Sequence, residues 1–252
     1  MTVTPAARPE VVTVGDADEL GRRAADIVSE FVEAEPRGVL GVATGSSPEP
    51  LWAELVRRRR DGLRTDGLTL VALDEYVGLP TGHPESYRTF VRDRVAAPLG
   101  VHDDRVVVPD GTSADLLAAT RAAEVHEGRI ADLGGVGLQI VGIGANGHLG
   151  FNEPGSPFRS LSRVVELADR TLLDNARYFG GDPRAVPSRA ITQGLSTIMS
   201  ARHVLLVVRG RTKAVALDAA LHGPVTESLP ASLLQRHPRV TIIADREALG
   251  AS

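Results

Sequence analysis

The chain has 252 residues, which is enough for one large α/β domain or two small ones with a buried core. Its 28 Lys and Arg residues and 32 Asp and Glu residues give a formal net charge of -4, so no strong field favours binding to nucleic acid or anionic lipid. The absence of cysteine excludes disulfides, thiolate nucleophiles and cysteine-ligated zinc sites. We therefore expect a small-molecule partner, with no nucleic acid and no membrane as a binding surface.

The N-terminal region gives an expectation about location. Residues 1–10, MTVTPAARPE, lack the apolar core of a signal peptide. No apolar run approaches the roughly 20 residues that a membrane span requires. Together with the lack of cysteine, these features predict a soluble, cytoplasmic protein.

Short apolar runs typical of buried parallel strands alternate along the chain with longer segments of helical spacing. The predicted strands are residues 11–14, 38–43, 68–73, 105–108, 138–143, 204–208 and 240–244. The clearest predicted helices are residues 17–33, 48–59, 114–133 and 212–221. This alternation predicts an α/β fold, with a single domain over residues 1–252 built on a mainly parallel, Rossmann-like, doubly wound sheet. Residues 154–187 show no convincing strand, and we predict a helical lid over the active site, the lid segment, at about residues 155–190.

Four polar clusters begin where predicted strands end. They are TGSSPEP from residue 44, DEYVGL from residue 74, GANGH from residue 144 and RGRTK from residue 209. The carboxyl ends of parallel strands lie on one side of a sheet, where ligands bind in the crevice. We therefore expect the four clusters to form one pocket.

The third cluster raises the question of a nucleotide site. Gly142, Gly144 and Gly147 have the G-x-G-x-x-G spacing of a dinucleotide fingerprint, which requires a helix that starts inside the glycine run. Residues 150–155, GFNEPG, fall where the first two turns of that helix would lie, and their composition disfavours a helix. The glycines are better explained as a tight loop at a strand end.

That loop carries Asn146, His148 and Glu153. An imidazole titrates near neutral pH, and a neighbouring carboxylate fixes its tautomer, which suits proton transfer. The alternative for a lone histidine is a cap for backbone groups. A zinc site is disfavoured because the nearby sequence offers one imidazole and no H-x-x-x-H pair.

The TGSSP segment is typical of an anion-binding loop between a strand and a helix. Gly45, Ser46 and Ser47 supply small residues and hydroxyl donors at a helix N-terminus, and without a G-K-[ST] ending a monophosphate is the favoured ligand. An ordinary N-cap is the alternative. Lys213 in RGRTK and Arg177 in the lid segment are candidate phosphate cations, although both residue types are common on surfaces.

Asp74 and Glu75 are predicted to end the strand LTLVAL. Adjacent strand residues point to opposite faces, so one carboxylate can enter the crevice while the other braces the loop. Desolvation would make Asp74 basic enough to remove a carbon-bound proton, and a turn-forming acid is the alternative.

Together these segments resemble the glucosamine-6-phosphate deaminase family, also called glucosamine-6-phosphate isomerase. The resemblance rests on ATGSSP, LDEYVGL followed by HPESYRTF, GIGANGHLGFNEPG, NARYF, RGRTKAVAL and PASLLQRHP, in the family's order and spacing over about residues 11–245. It implies reversible conversion of glucosamine 6-phosphate and water to fructose 6-phosphate and ammonia, with no metal or organic cofactor.

The resemblance also implies residue roles. Asp74 takes the proton from C2 and returns it at C1, and His148 opens the pyranose ring with support from Glu153 and Asn146. Phosphate binding falls to the TGSSP loop with Arg177 and Lys213. Some members of the family carry Asp at the position of Asn146, so here the charge that supports His148 is expected from Glu153.

Three alternatives remain from the sequence: a galactosamine-6-phosphate deaminase, a 6-phosphogluconolactonase and a non-catalytic sugar-phosphate sensor. Allosteric members of the family bind N-acetylglucosamine 6-phosphate through a basic pair, of which Arg163 matches one residue while Val165 stands at the other position. We therefore expect no activation by that ligand. The resemblance leaves both a monomer and a homo-oligomer open.

Overall fold

The computed structural model describes residues 8–250 of the chain. Most of the N-terminal segment in which no signal peptide is predicted therefore lies outside the described residues. The strands are β1 (Glu10–Val14), β2 (Val39–Val42), β3 (Thr69–Ala72), β4 (Asp74–Tyr76), β5 (Val106–Val107), β6 (Leu138–Val141), β7 (Arg163–Glu166), β8 (Arg189–Thr192), β9 (His203–Val208) and β10 (Val240–Asp245).

Seven of these strands form one parallel sheet in the order β1-β10-β9-β6-β2-β3-β5. They are the seven strands predicted from the apolar runs, so the predicted α/β fold with a mainly parallel, doubly wound sheet is confirmed. The interior strands are buried on both faces because helices cover both sides of the sheet. For example, all residues of β6 and β9 are buried.

A second, antiparallel sheet in the order β4-β8-β7 was not predicted. β7 lies inside the lid segment, where the expectation that residues 154–187 hold no strand is wrong. Its four residues, Arg163–Glu166, are half-buried or exposed and lack the apolar run that identifies a central strand. The sequence signal is weak because this short strand is stabilised by pairing with a distant segment.

The helices are α1 (Ala17–Ala34), α2 (Glu49–Arg60), α3 (Tyr87–Phe90), α4 (Ala97–Leu99), α5 (Leu116–Asp132), α6 (Asp169–Asn175), α7 (Leu195–Met199) and α8 (Ala214–His222). A π-helical turn, Val91–Ala96, joins α3 to α4, and a 3-10 turn, Arg211–Lys213, precedes α8. The four predicted helices are confirmed as α1, α2, α5 and α8, with ends shifted by up to two residues. Asp16 and Asp115 cap α1 and α5 by accepting from Glu19 N at 2.7 Å and Ala118 N at 2.8 Å.

The main hydrophobic core lies between the seven-stranded sheet and the helices that cover it. A smaller core lies between the three-stranded sheet and the lid segment, and its largest members are Tyr76, Phe151 and Leu167. Within residues 8–250, no helix combines the length and the apolar character needed to cross a membrane.

Candidate active site

A cavity of about 510 Å³ opens at the carboxyl ends of β2, β3, β6 and β9. Its lining includes residues 44–49, Asp74 and Tyr76, residues 142–145 with His148, and Arg209, Thr212 and Lys213. The four clusters that were expected to converge therefore do form one pocket. Parallel strands bring their carboxyl ends to the same side of the sheet, which explains this arrangement.

The TGSSP loop forms the part of the wall next to α2. Gly45 has φ +91, a conformation that favours glycine, and the position of its missing side chain is open space. The hydroxyls of Ser46 and Ser47 are not used to cap α2, for which no side-chain cap is present among the described residues. The ordinary N-cap interpretation is thus not what the structure shows, and both hydroxyls remain available to a ligand.

The two predicted cations, Lys213 and Arg177, line the same cavity as this loop. Burial lowers the pKa of Lys213, and the nearby Arg177 and Arg170 act in the same direction, whereas Asp174 opposes them. The Arg177 guanidinium lies 4.7 Å from the ring centroid of Tyr178 and donates to its hydroxyl at 3.0 Å. One cation thus comes from the residue before α8 and the other from the lid segment, and the two are close enough to influence each other's charge.

Asp74 lies on β4 of the second sheet, whereas the sequence predicted it at the end of the strand LTLVAL, which is β3 of the parallel sheet. The chain leaves the parallel sheet at Leu73, whose N–H still donates to Val42 O at 3.0 Å, and Asp74 then pairs with Thr192. Asp74 is only 6% exposed, yet it lines the cavity. This change of sheet turns its carboxyl group towards the pocket.

Burial raises the pKa of Asp74 to about 8, and the negative charge of Glu75 adds to the shift. Gly150 lies in the loop after β6, residues 142–153, which is named the catalytic loop after the mechanism proposed below, and it allows this loop to approach the Asp74 carboxyl group. A Cβ at this position would lie 3.3 Å from Asp74 Oδ2 and 2.9 Å from Thr192 Oγ1, and the φ of +57 is itself unfavourable for other residues. The Asp74 carboxyl group is thus kept nearly dry and is a stronger base than an exposed aspartate.

The neighbouring carboxylate, Glu75, points away from Asp74 into the loop that follows β4. It accepts from the backbone N–H groups of Tyr76, Tyr87 and Arg88 at 2.8, 3.0 and 2.9 Å, and from the Ser86 hydroxyl at 2.7 Å. The expected division, with one carboxylate in the crevice and the other bracing the loop, is what the structure shows.

His148, Glu153 and Asn146 form a connected group on the loop after β6. His148 Nδ1 lies 3.4 Å from Glu153 Oε2, longer than an ordinary hydrogen bond, and no group in residues 8–250 makes a closer one to it. Asn146 Nδ2 donates to the same carboxylate at 2.7 Å, and its Oδ1 accepts from His148 N at 3.3 Å. Asn146 thus reaches the backbone of His148 and leaves the imidazole to Glu153.

Burial alone would raise the pKa of Glu153, but the neighbouring His148 and the hydrogen bonds from Thr171 and Asn146 lower it to about 2. An ionised carboxylate only accepts, so the Nδ1 that faces it is the protonated nitrogen, and Nε2 is available for proton transfer. A Cβ on Gly144 would lie 2.4 Å from the imidazole ring, so this glycine gives the ring its place.

The glycine-rich stretch does not begin a helix. Residues 147–162 form turns and one isolated bridge between Leu149 and Asn152. Arg163, the match to an allosteric basic residue, instead donates to Asn152 Oδ1 at 2.7 Å and Ser156 Oγ at 3.1 Å. Among residues 8–250, no group of three or more His, Asp or Glu side chains has the arrangement of a metal site.

Several lining residues were missed from the sequence. Thr171 in α6 donates to Glu153 Oε1, and Arg170 lies beside it at the cavity wall. The ring centroids of Tyr87 and Tyr76 lie 4.9 Å apart. Arg209 Nη1 lies 3.5 Å from the Ser46 carbonyl oxygen, and Tyr87 and Arg209 both line the cavity. Tyr87 and Arg209 belong to the noted HPESYRTF and RGRTK segments, but nothing local to Thr171 indicates its contact with Glu153.

Comparison with known proteins places the chain among sugar-phosphate enzymes. Residues 16–243 match the family described as glucosamine-6-phosphate isomerases/6-phosphogluconolactonase. The glucosamine-6-phosphate deaminase of Streptomyces coelicolor is 45% identical over 240 residues, which are 95% of this chain and 91% of that one. Glucosamine-6-phosphate deaminase 2 of Bacillus subtilis is 43% identical over 233 residues, 92% of each chain.

Comparison with solved structures supports the same family. A monomeric glucosamine-6-phosphate deaminase of the NagB superfamily superposes with a TM-score of 0.91 and 38% identity, covering 96% of this chain and 100% of that one. The 6-phosphogluconolactonase of Trypanosoma cruzi superposes with a TM-score of 0.79 at 20% identity over 98% of both chains, a likeness that concerns the fold alone. The chain therefore belongs to the glucosamine-6-phosphate isomerase/6-phosphogluconolactonase family.

Proposed function

We propose that this chain is a glucosamine-6-phosphate deaminase, which converts glucosamine 6-phosphate and water to fructose 6-phosphate and ammonia. One observation carries the proposal. The buried Asp74 carboxyl group, whose pKa is raised, and His148, which lies beside the Glu153 carboxylate, line the same cavity as the TGSSP loop. The reaction needs these three elements at different positions of one sugar phosphate.

The phosphate is held by the TGSSP loop and by two cations. The backbone at Gly45 and the hydroxyls of Ser46 and Ser47 supply donors at the start of α2, where the helix dipole favours negative charge. Lys213 and Arg177, which line the same cavity, supply positive charge. Holding the phosphate fixes the sugar chain, so that two proton-transfer groups act on one bound molecule.

His148 opens the pyranose ring by moving a proton between the C1 hydroxyl and the ring oxygen. The nearby Glu153 carboxylate stabilises the imidazolium that forms during the transfer, and Asn146 holds that carboxylate in place. Ring opening produces the aldehyde at C1, and only this form makes the C2 proton acidic.

Asp74 then removes the C2 proton, and the electron pair passes to the carbonyl to give an enolamine. The 2-ammonium group of the substrate is a cation close to Asp74, which favours the carboxylate form that the step requires. Return of the proton at C1 gives an imine at C2. Water then adds to this imine and ammonia leaves, which gives fructose 6-phosphate.

We also propose that residues 155–190 act as a lid and that the site is complete within one chain. The lid segment contributes Arg170, Thr171, Asp174, Asn175 and Arg177 to the cavity wall. The residues in the proposed mechanism all belong to the same chain, so a homo-oligomer is not required for catalysis. Activity per chain that stays constant on dilution would agree with this.

The decisive experiment measures ammonia release from glucosamine 6-phosphate, with unphosphorylated glucosamine and galactosamine 6-phosphate as comparison substrates. We expect turnover of glucosamine 6-phosphate and a large loss without the phosphate. Preferred turnover of the galactosamine compound would change the epimer assignment. Hydrolysis of 6-phosphogluconolactone without ammonia release would make the protein a lactonase, and binding without turnover would make it a sensor.

A further inference from the structure

The two carboxylate oxygens of Glu153 face different parts of the molecule. Oε2 faces the catalytic loop, 2.7 Å from Asn146 Nδ2 and 3.4 Å from His148 Nδ1. Oε1 accepts the hydroxyl hydrogen of Thr171, which lies on α6 in the lid segment. The carboxylate that supports the imidazole is therefore also bonded to the segment that covers the site.

A threonine inside a helix often donates its hydroxyl hydrogen to the carbonyl four residues earlier, as Thr120 in α5 does to the Leu116 carbonyl at 2.8 Å. Thr171 is the third residue of α6, so no carbonyl of that helix lies four residues before it. Thr171 is 4% exposed and instead reaches Glu153, which lies on a different element. A buried hydroxyl that donates to an ionised carboxylate makes one of the stronger hydrogen bonds in proteins.

Several hydrogen bonds attach the lid segment to the body of the domain, and three of them join side chains close to the proposed site. Arg163 bonds Asn152, and Asn175 Nδ2 donates to the Tyr76 hydroxyl at 2.9 Å. Neither of those partners has a role in the proposed proton transfers. Among these attachments, the bond from Thr171 is the one that ends on a member of the histidine–carboxylate pair.

We propose that Thr171 is a positioning residue that links α6 to the His148–Glu153 pair. The proposal rests on the proposed function and adds a specific coupling to it. With α6 in place, Thr171 holds Glu153 Oε1 and keeps Oε2 directed at the imidazole. α6 and the turn after it also carry Asp174 and Arg177 at the cavity wall. Seating of the phosphate under the lid segment and support of the ring-opening histidine therefore depend on the same helix.

The test compares Thr171→Val, which removes the hydroxyl and keeps the branched shape, with Thr171→Ser, which keeps the hydroxyl. Thr120→Val is the matched control. For Thr171→Val we expect kcat to fall by about 10-fold or more, the usual effect of losing a hydrogen bond to a charged group. KM should stay within about twofold, because ground-state binding is unchanged. Thr171→Ser should restore most of kcat, and Thr120→Val should match the unaltered enzyme.

A second measurement does not depend on turnover. Nitrogen-15 NMR of the His148 imidazole reports which ring nitrogen carries the proton, with the signal assigned by its loss in His148→Asn. We expect the Nδ1-protonated form in the unaltered chain and in Thr171→Ser, and a mixture of tautomers in Thr171→Val. If the unaltered chain releases no ammonia, the proposed function fails while this measurement still tests the link.

The double variant with Glu153→Gln separates coupling from simple folding effects. If Thr171 acts through Glu153, adding Thr171→Val to Glu153→Gln should lower kcat little further. Thr171→Ala gives the same comparison if the valine variant does not fold. Unchanged kcat and an unchanged tautomer in the variants without a hydroxyl would overturn the proposal. A raised KM with normal kcat would also overturn it, because Thr171 would then serve substrate binding.

Discussion

Replacement of Asp74 by asparagine should abolish turnover and stabilise the fold. The pKa of Asp74 rises from 3.8 to about 8 because the folded protein buries the carboxyl group beside Glu75. The folded state therefore holds a proton that the unfolded state releases, and stability falls as pH rises from about 4 to 8. Asparagine has the same shape and no charge to bury, so the variant escapes this pH-dependent loss.

The size of this stability loss follows from the pH range between the two pKa values of Asp74. Each pH unit between the two pKa values corresponds to about 1.36 kcal/mol, so the stability gap between Asp74→Asn and the unaltered chain should widen by about 3 kcal/mol between pH 5 and pH 7. For a protein of this size, the corresponding difference in Tm should widen by about 5–10 °C. Calorimetric melting at pH 5, 6 and 7 measures the gap.

Asp132→Asn is the matched control, because Asp132 is an exposed carboxylate at the end of α5. Its gap from the unaltered chain should stay constant with pH. The stability difference between Asp74→Asn and the unaltered chain could instead stay constant or narrow as pH rises. Either result would refute the argument that burial of Asp74 destabilises the folded protein. Turnover retained within about tenfold would separately remove Asp74 from its role as the base, because a positioned base contributes about 10²- to 10⁴-fold.

Two further variants test the other proposed groups. Glu153→Gln should lower the free energy of unfolding, whereas Asp74→Asn should raise it. The pKa of Glu153 is lowered from 4.5 to about 2, so its carboxylate contributes stability above pH 4.5 that is lost as pH falls towards 2. That contribution should be about 3 kcal/mol at pH 7, and urea unfolding of the variant and the unaltered chain at pH 7 would measure it. A stabilised variant would contradict the pairing with His148. Lys213→Met should raise KM for glucosamine 6-phosphate by about 10- to 100-fold with little change in kcat, whereas the exposed Arg211→Met should not. Equal KM changes in both variants would indicate a general charge effect instead of a phosphate contact.

The sequence by itself determined the central sheet and the location of the site. Apolar runs identify the seven parallel strands because a strand buried on both faces must be apolar along its length. The polar clusters at their ends then have to meet, since parallel strands share a direction. The residues after Gly147 already disfavoured a nucleotide-binding helix, and the structure shows turns at that position.

Only the tertiary structure decided how the proposed groups are set for chemistry. The pairing of Asp74 with Thr192 joins segments far apart in the chain, and no local pattern in either short strand indicates it. The dry environment of the Asp74 carboxyl group depends on the approach of Gly150 from the catalytic loop. The bond from Thr171 to Glu153 likewise forms only because α6 lies next to that loop in the folded chain. A side chain's basicity and orientation are set by burial and by non-local partners, so these properties emerge only when distant segments pack together.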